Sequence, residues 1–299
     1  MNTKSVMIAI CGRPNVGKST LTNTIVGEKV AIVSNKPQTT RNRICGIRDR
    51  GDTQLVFLDT PGFHRPRTKL GDYMVNVVEQ SVANVDLALL LVEPIDNLGP
   101  QEESLIEQFR QRNVPAILVI NKTDTLEDKD VLLPVIARYN QAFPFEATVP
   151  ISAKTHEGVD ELLDLCEKYA IESPWFFPVG MTSDQPERQV IAEIIREKML
   201  WNLDKEIPHG TAVEITRFTE RDSGSIDVEA TIYCEKASHK GIIIGKGGQM
   251  LKKISSQARA DCERFMGAKV YLQTWIKVKE NWRDSDFLIR NFGYRNDEG

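Results

Sequence analysis

Over the first 170 residues, short runs of consecutive aliphatic side chains alternate with longer segments whose apolar positions recur at helical spacing. The runs at 6–10, 55–58, 87–92, 116–120 and 148–151 are apolar at nearly every position, which predicts strands buried on both faces. Such strands, separated by helices, build an α/β fold: a mixed, mostly parallel sheet with helices on both faces. Between 171 and 186 the pattern breaks, because Pro174, Pro178, Gly180 and Pro186 interrupt any continuous element. The expected organisation is therefore a first domain over 1–172, a linker over 173–187 and a second domain over 188–299. That second domain begins with a helix over 188–203, with Val190, Ile191, Ile194, Ile195 and Met199 on one face and Pro208 beyond its end. Two β-rich runs, 212–218 and 225–235, flank Asp222, Ser223 and Gly224 and predict a hairpin. A glycine-interrupted stretch over 241–248, with an apolar turn at 242–244, leads into a helix over 249–265 and a last strand over 269–278, an α+β arrangement.

Composition adds little to this outline and charge adds more. With 299 residues, 41% hydrophobic and 27% charged, the chain suits two globular domains. Its longest apolar run, 87–92, is about a third of the roughly 20 residues needed to span a bilayer, and 1–9 lacks the apolar core of a signal peptide. A cytoplasmic location is expected. The five cysteines are odd in number and never form a CxxC pair, so reduced thiols are expected rather than disulfides or zinc sites. His156, His209 and His239 lack metal-ligand spacing and carry no assigned role. The formal net charge is −4, but over 236–279 ten basic residues face only Asp261 and Glu263, a local excess of eight positive charges. That stripe points to a polyanion.

Gly12, Arg13, Pro14, Asn15, Val16, Gly17, Lys18 and Ser19 match GxxxxGK[ST] directly after the first strand, with Thr20 opening the helix that follows. Backbone N–H groups of such a loop cradle phosphates, Lys18 supplies charge to the β and γ groups, and Ser19 is a magnesium ligand. Asp59, Thr60, Pro61 and Gly62 follow the second apolar run. Asp59 is placed to hold magnesium and Gly62 to donate its N–H to the γ-phosphate. Asn121, Lys122, Thr123 and Asp124 follow a strand and select guanine, whose N1 and N2 donors suit a carboxylate that adenine would leave unpaired. Ser152, Ala153 and Lys154 offer a backbone N–H to guanine O6. The polar segment 34–43 is the expected γ-phosphate sensor. Thr40 is the preferred magnesium-sensing hydroxyl, and Thr39 remains the alternative. The expected ligands are GTP or GDP with Mg²⁺, and the expected catalytic set is Lys18, Thr40, Asp59 and Gly62. Phe63 stands where Ras-like enzymes carry the glutamine that orients the attacking water. An aromatic ring cannot do this, so hydrolysis is expected to be slow, its water positioned by backbone, by K⁺ or by a partner. His64, Arg65 and Arg67 are read as a solvated switch loop before any catalytic role.

In the second domain, Gly245, Lys246, Gly247 and Gly248 fit the GXXG loop that brings a backbone close to a nucleic-acid phosphate chain, with Lys252 and Lys253 on the next helix. GXXG alone is a weak pattern. The order helix, strand, strand, helix, GXXG, helix, strand within the basic stripe reads as a type II KH domain for single-stranded RNA. Trp175, Trp201, Trp275 and Trp282 are expected as core or interdomain aromatics rather than base-stacking platforms.

QTTR at Gln38 to Arg41, DTPGFH from Asp59, AEIIREK at Ala192 to Lys198, IIIGKGG at Ile242 to Gly248 and WIKVKENW at Trp275 to Trp282 together resemble the Era family of bacterial ribosome-assembly GTPases over nearly the whole chain. Proteins of the Der or EngA type carry two tandem G domains, and only one P-loop occurs here. The resemblance implies binding to 16S ribosomal RNA near its 3′ end, a role in maturation of the 30S subunit, GTP favouring the bound state and hydrolysis releasing it. It also implies weak peripheral membrane association and, more remotely, a link to cell-cycle control. A monomer is expected. The rival reading is a signalling GTPase whose basic second domain docks a protein or an anionic membrane.

Overall fold

The computed structural model describes residues 3–62 and 66–294. They fall into two compact units: residues 3–31, 40–62, 66 and 71–184 make the first, and 32–39, 67–70 and 185–294 the second.

In chain order the first unit contains β1 (Lys4–Cys11), α1 (Lys18–Val26), β2 (Ile44–Arg50), β3 (Thr53–Asp59), α2 (Lys69–Ala83), β4 (Leu87–Val92), α3 (Pro100–Arg112), β5 (Ala116–Ile120), α4 (Leu132–Ala142), β6 (Ala147–Pro150), α5 (Val159–Glu167) and β7 (Ile171–Glu172). The sheet order is β2-β3-β1-β4-β5-β6, with β7 antiparallel to the start of β1. Only β2 and β7 run against the rest. Alternate residues of the central strands serve opposite cores. Val6, Ile8 and Ile10 pack with Leu21 and Ile25 of α1 and Leu162 of α5, whereas Ala9, Cys11, Ala88 and Leu90 pack with Val78 of α2, Phe109 of α3 and Val135 of α4. Burial on both faces is why these strands read as unbroken apolar runs.

Two features depart from the sequence expectation. Strand β2 gave no apolar run, because Gly46 and the charged Arg48, Asp49 and Arg50 interrupt it. Gly46 is where α1 crosses the sheet: a Cβ there would stand 2.8 Å from Thr22 Cγ2 and 2.9 Å from Val26 Cγ2. The expected linker is the other departure, since residues 173–184 are strapped to the first sheet. Trp175 Nε1 donates to Asp52 O at 3.0 Å, Phe177 N to Gln54 Oε1 at 2.9 Å, Gly180 N to Asp49 Oδ2 at 2.9 Å and Cys45 N to Asp184 Oδ1 at 3.2 Å. Ile47 N donates to Thr182 O at 2.9 Å. The prolines prevent regular structure, yet the free edge of β2 still needs partners for its backbone groups, and this segment supplies them.

The second unit contains α6 (Glu187–Asn202), β8 (Ala212–Glu220), β9 (Ile226–Cys234), α7 (Ala237–Ile244), α8 (Gln249–Met266), β10 (Val270–Val278) and α9 (Asp286–Asn291). Its sheet runs β10-β9-β8, with β8 and β9 antiparallel and β9 and β10 parallel. Val190, Ile194, Ile254, Ala258 and Cys262 from α6 and α8 pack on Val228, Ala230 and Ile232. The stretch expected as an apolar turn at 242–244 instead ends α7, with Gly245 N donating to Gly241 O at 2.9 Å. Trp282 is fully buried and donates to Gly210 O at 2.9 Å, and Trp175 is half-buried on the first sheet. Trp201 and Trp275 remain 54% and 57% exposed, so they are not core residues.

Gln54 is buried and pairs with the Phe177 backbone through both ends of its amide, its Nε2 donating to Phe177 O at 3.1 Å and also to Asp49 Oδ1 at 3.0 Å. Gln54→Met keeps the volume and removes all three bonds. It should cost about 1–3 kcal/mol in urea unfolding of the full chain; an unchanged midpoint would show that the 173–184 segment is not held this way.

Candidate nucleotide and RNA sites

The phosphate-type loop joins the buried end of β1 to α1, and its glycines are set by close approach. A Cβ on Gly12 (φ +150°) would lie 2.4 Å from Leu91 O, and one on Gly17 (φ +103°) would lie 2.2 Å from Asn121 Nδ2. Helix α1 starts at Lys18 with no side-chain cap and no acidic residue in its first turn, leaving its N-terminal N–H groups for an anion. Asn15 is left-handed at φ +67°. Arg13 contributes only backbone to this loop: its guanidinium turns away and pairs with the buried Glu102 of α3, which also accepts from Gly99 N at 3.2 Å. The loop also abuts the β3 end, since a Cβ on Gly62 would come within 2.8 Å of Pro14 Cα. Thr60 Oγ1 is spent on Ile10 O at 2.8 Å, tying β3 to β1.

Lys18 and Asp59 face each other within this loop. Lys18 Nζ donates to Gly12 O at 3.1 Å and Arg13 O at 2.8 Å. Both carboxylate oxygens of Asp59 are buried without a well-formed hydrogen bond, although the nearby Ser19 hydroxyl favours its charge. Burial pushes the Asp59 carboxyl up to about 6 against the pull of Lys18 and Ser19, and burial lowers the Lys18 ammonium to about 8 against the pull of Asp59. Desolvation outweighs their mutual attraction for both groups. Ser19 Oγ and Thr40 Oγ1 lie 2.8 Å apart, whereas Thr39 Oγ1 turns back to donate to Lys36 O at 2.6 Å. Of the two threonines, Thr40 is the one brought to Ser19. Ser19, Thr40 and the orphaned Asp59 form an all-oxygen donor set that fits a hard divalent cation. Phe63, with His64 and Arg65, lies outside the described residues.

Beside the loop, Asn121 is a buried tie. Its Nδ2 donates to Val16 O at 2.8 Å and its Oδ1 accepts from Ala153 N at 3.0 Å, so one side chain holds the phosphate-type loop and the 152–154 turn together. Both ends of its amide are engaged by protein, which leaves Asp124 as the exposed carboxylate of the motif. Ser152 Oγ donates to Asp124 Oδ1 at 2.8 Å, Thr24 Oγ1 donates to Ala153 O at 2.7 Å and Thr123 N donates to Ile151 O at 3.1 Å. Lys122, left-handed at φ +68°, pairs with Glu93, and Lys154 is exposed. The Glu102 and Thr24 contacts were missed in the sequence because they join distant positions and leave no local pattern.

In the second unit the GKGG loop joins α7 to α8. Gly245, Gly247 and Gly248 have φ of 73°, 59° and 77°. A Cβ on Gly245 would meet Met250 Cβ at 2.7 Å, while positions 247 and 248 open to free space. Lys246, Lys252 and Lys253 are exposed, and α8 begins with no acidic residue in its first turn.

A family model described as a 50S ribosome-binding GTPase matches residues 7–122, and a KH-domain model matches residues 206–283. The chain is 51% identical over 295 residues to GTPase Era of Ruminiclostridium cellulolyticum, covering 99% of each chain. It is 50% identical over 292 residues to GTPase Era of Clostridioides difficile, covering 97% of this chain and 98% of that one. Among solved structures, Era in complex with MgGDPNP and nucleotides 1506–1542 of 16S ribosomal RNA superposes with a TM-score of 0.94 at 37% identity, over 98% of this chain and 100% of that one. An Aquifex aeolicus Era variant bound to GDP·AlF4⁻ gives 0.93 at 37% identity, over 99% and 100%. Half of all residues identical along nearly the full length, on one shared two-unit fold with a phosphate-type loop and a GKGG loop, means that the chain belongs to the Era family of GTPases.

Proposed function

We propose that this chain is a GTP-hydrolysing switch that binds small-subunit ribosomal RNA near its 3′ end in the GTP state, assists 30S maturation and leaves on hydrolysis. The observation that carries the reading is the buried Asp59, both of whose oxygens lack a well-formed hydrogen bond, beside Lys18 and the Ser19–Thr40 pair. Such a site wants a polyphosphate for its ammonium and a cation for its carboxylate. A family relative was solved with MgGDPNP and with a 16S segment, which supports both ligands.

In this account Lys18 neutralises the β and γ groups, Ser19, Thr40 and Asp59 hold magnesium, and the Gly62 N–H meets the γ-phosphate. Magnesium held there would offset charge developing on the transferred group. Asn121 fixes the guanine pocket and Asp124 accepts from the base. Phe63 cannot orient water, so backbone, K⁺ or a partner does so and intrinsic turnover is slow. Gly245 to Gly248 receive the RNA backbone, with Lys246, Lys252 and Lys253 adding charge.

The cytoplasm is the proposed location. Among the described residues no helix is long and apolar enough to cross a membrane. The basic stripe is assigned to RNA before anionic lipid, and peripheral membrane contact is at most secondary. Neither a cell-cycle link nor a signalling role draws on any residue of the two sites.

Three outcomes test these assignments. Asp59 is raised from 3.8 to about 6, so the stability it contributes is complete below pH 3.8 and is lost as pH rises through 6. Lys18 is lowered from 10.5 to about 8, so its contribution is complete above pH 10.5 and is lost as pH falls through 8. Between those values the nucleotide-free protein carries both buried charges. The rise in Tm given by GDP with magnesium should therefore be largest between pH 6 and 8, and a rise that is flat from about pH 5 to about pH 9 would contradict the pairing. Asp124→Asn should weaken GTP binding about 10- to 100-fold, the loss of hydrogen bonds to a charged group, and improve binding of xanthosine triphosphate; unchanged selectivity in a fluorescence titration would remove the guanine assignment. Replacing Lys246 and Gly247 together with Asp should lower RNA affinity by about 100-fold or more while GTP hydrolysis continues. A retained footprint on the 16S 3′ segment would exclude the GKGG loop.

A further inference from the structure

Helix α6 carries three charged side chains in succession, Arg196, Glu197 and Lys198, each only 1% exposed. Three buried charges in a row on one helix are costly unless each has a partner. Each has an oppositely charged partner on α6 itself, and Lys198 has a second on α8. Arg196 Nε donates to Glu193 Oε1 at 2.8 Å, and Lys198 Nζ pairs with Glu197 Oε2 at 2.8 Å and with Asp261 Oδ2 on α8 at 2.5 Å.

The remaining valences of this set reach the backbone of Ile32–Thr39, the segment between α1 and β2 that belongs to the second unit. Val33 N donates to Glu197 Oε1 at 2.9 Å, and Trp201 Nε1 donates to Val33 O at 3.0 Å. Arg196 donates from Nη2 to Thr39 O, and from Nη1 to Gln38 O at 3.5 Å. Lys36 Nζ donates to Leu203 O at the end of α6. Gln38, held at φ +57°, is a non-glycine residue in a left-handed conformation. The segment is thus held along α6 from its second residue to its last. The residue after Thr39 is Thr40, whose hydroxyl lies 2.8 Å from Ser19 Oγ. The short stretch beyond β3 shows a parallel arrangement: Lys69, also in the second unit, donates its backbone N–H to Asp284 Oδ1 at 3.2 Å and pairs through Nζ with Asp286 Oδ2 at 2.5 Å.

We propose that Arg196 and Glu197 are positioning residues for GTP hydrolysis: by gripping the Thr39 carbonyl and the Val33 amide, they fix the segment whose next residue presents the Thr40 hydroxyl. The inference rests on the reading of Thr40 as the sensor of the triphosphate state. Through Lys198 and Asp261 the same charges reach α8, the helix that starts at the GKGG loop. Nucleotide state and RNA engagement then share one set of buried contacts, and linkage requires each to bias the other equally. This gives AEIIREK a physical role that packing alone does not, since an apolar helix face would fill the same space.

The test uses the full chain and compares Arg196→Lys, which keeps the charge but loses the planar fork, with Thr40→Ala and the double variant. Fluorescent GDP and GDPNP affinities are measured with magnesium, together with kcat for GTP. Arg196→Lys should lower kcat and GDPNP affinity by about tenfold, the worth of one well-made hydrogen bond, and leave GDP affinity within about twofold. In the double variant the Arg196 change should add nothing to the Thr40 change. Equal losses for GDP and GDPNP, or additive losses in the double variant, would show a merely structural role and overturn the inference. Hydrolysis untouched by Thr40→Ala would instead remove the Thr40 assignment itself, and this inference with it. If Arg196→Lys does not fold, Trp201→Phe serves, because Trp201 is 54% exposed and the change removes its bond to Val33 O while keeping an aromatic ring beside Lys198 Nζ. That variant should shift the GDPNP-to-GDP affinity ratio about threefold, and an unchanged ratio would overturn the inference.

Discussion

Lys18 at the start of α1 and Asp59 at the end of β3 are opposite charges buried side by side, and neither is stabilised by the other as much as burial destabilises it. The fold can hold this arrangement because apolar clusters cover β1 on both faces and β3 on both faces, Leu55 and Phe57 packing on one side and Val56 and Leu58 with Cys45 on the other, with Ile10 in register with Asp59. A flexible scaffold would let water in and relax both groups. Here the unrelieved charge is a standing demand for an anion beside the lysine and a cation beside the carboxylate.

The surrounding residues keep that demand in place. Glycine is required at positions 12, 17 and 62, where a Cβ would strike Leu91 O, Asn121 Nδ2 and Pro14. Asn121 joins the loop to the 152–154 turn, so the surfaces expected to meet phosphate and base are held by one side chain. Specificity and charge neutralisation are therefore mechanically one site, although their residues are more than a hundred positions apart in the chain.

Much of this was legible in the sequence because short-range pattern and local chemistry coincide at a phosphate-type loop. Unbroken apolar runs located β1, β3, β4, β5 and β6, and the motifs at their ends carry the candidate site residues. What escaped notice depended on contacts between distant positions. Strand β2 is hidden by Gly46 and by charges at an edge, and the proline-rich 173–184 segment reads as a linker although its backbone satisfies that edge. Arg13 sits inside the motif yet spends its guanidinium on Glu102. The sequence prefers Thr40 but leaves Thr39 open, because adjacent residues differ only in which way the chain turns; the Thr39 bond to Lys36 O turns that hydroxyl away. Likewise the charges of AEIIREK resemble a solvated helix face until their burial is seen.

The GKGG loop and the nucleotide loop use similar means, left-handed glycines before an uncapped helix start, for two polyanions of different size. A switch needs the two to be coupled. The most direct measurement is the affinity of the full chain for a 16S 3′-terminal RNA fragment, with magnesium, in GDPNP and then in GDP at fixed salt. The account predicts binding at least about tenfold tighter with GDPNP, a coupling of about 1.4 kcal/mol; equal affinity in the two states would contradict it.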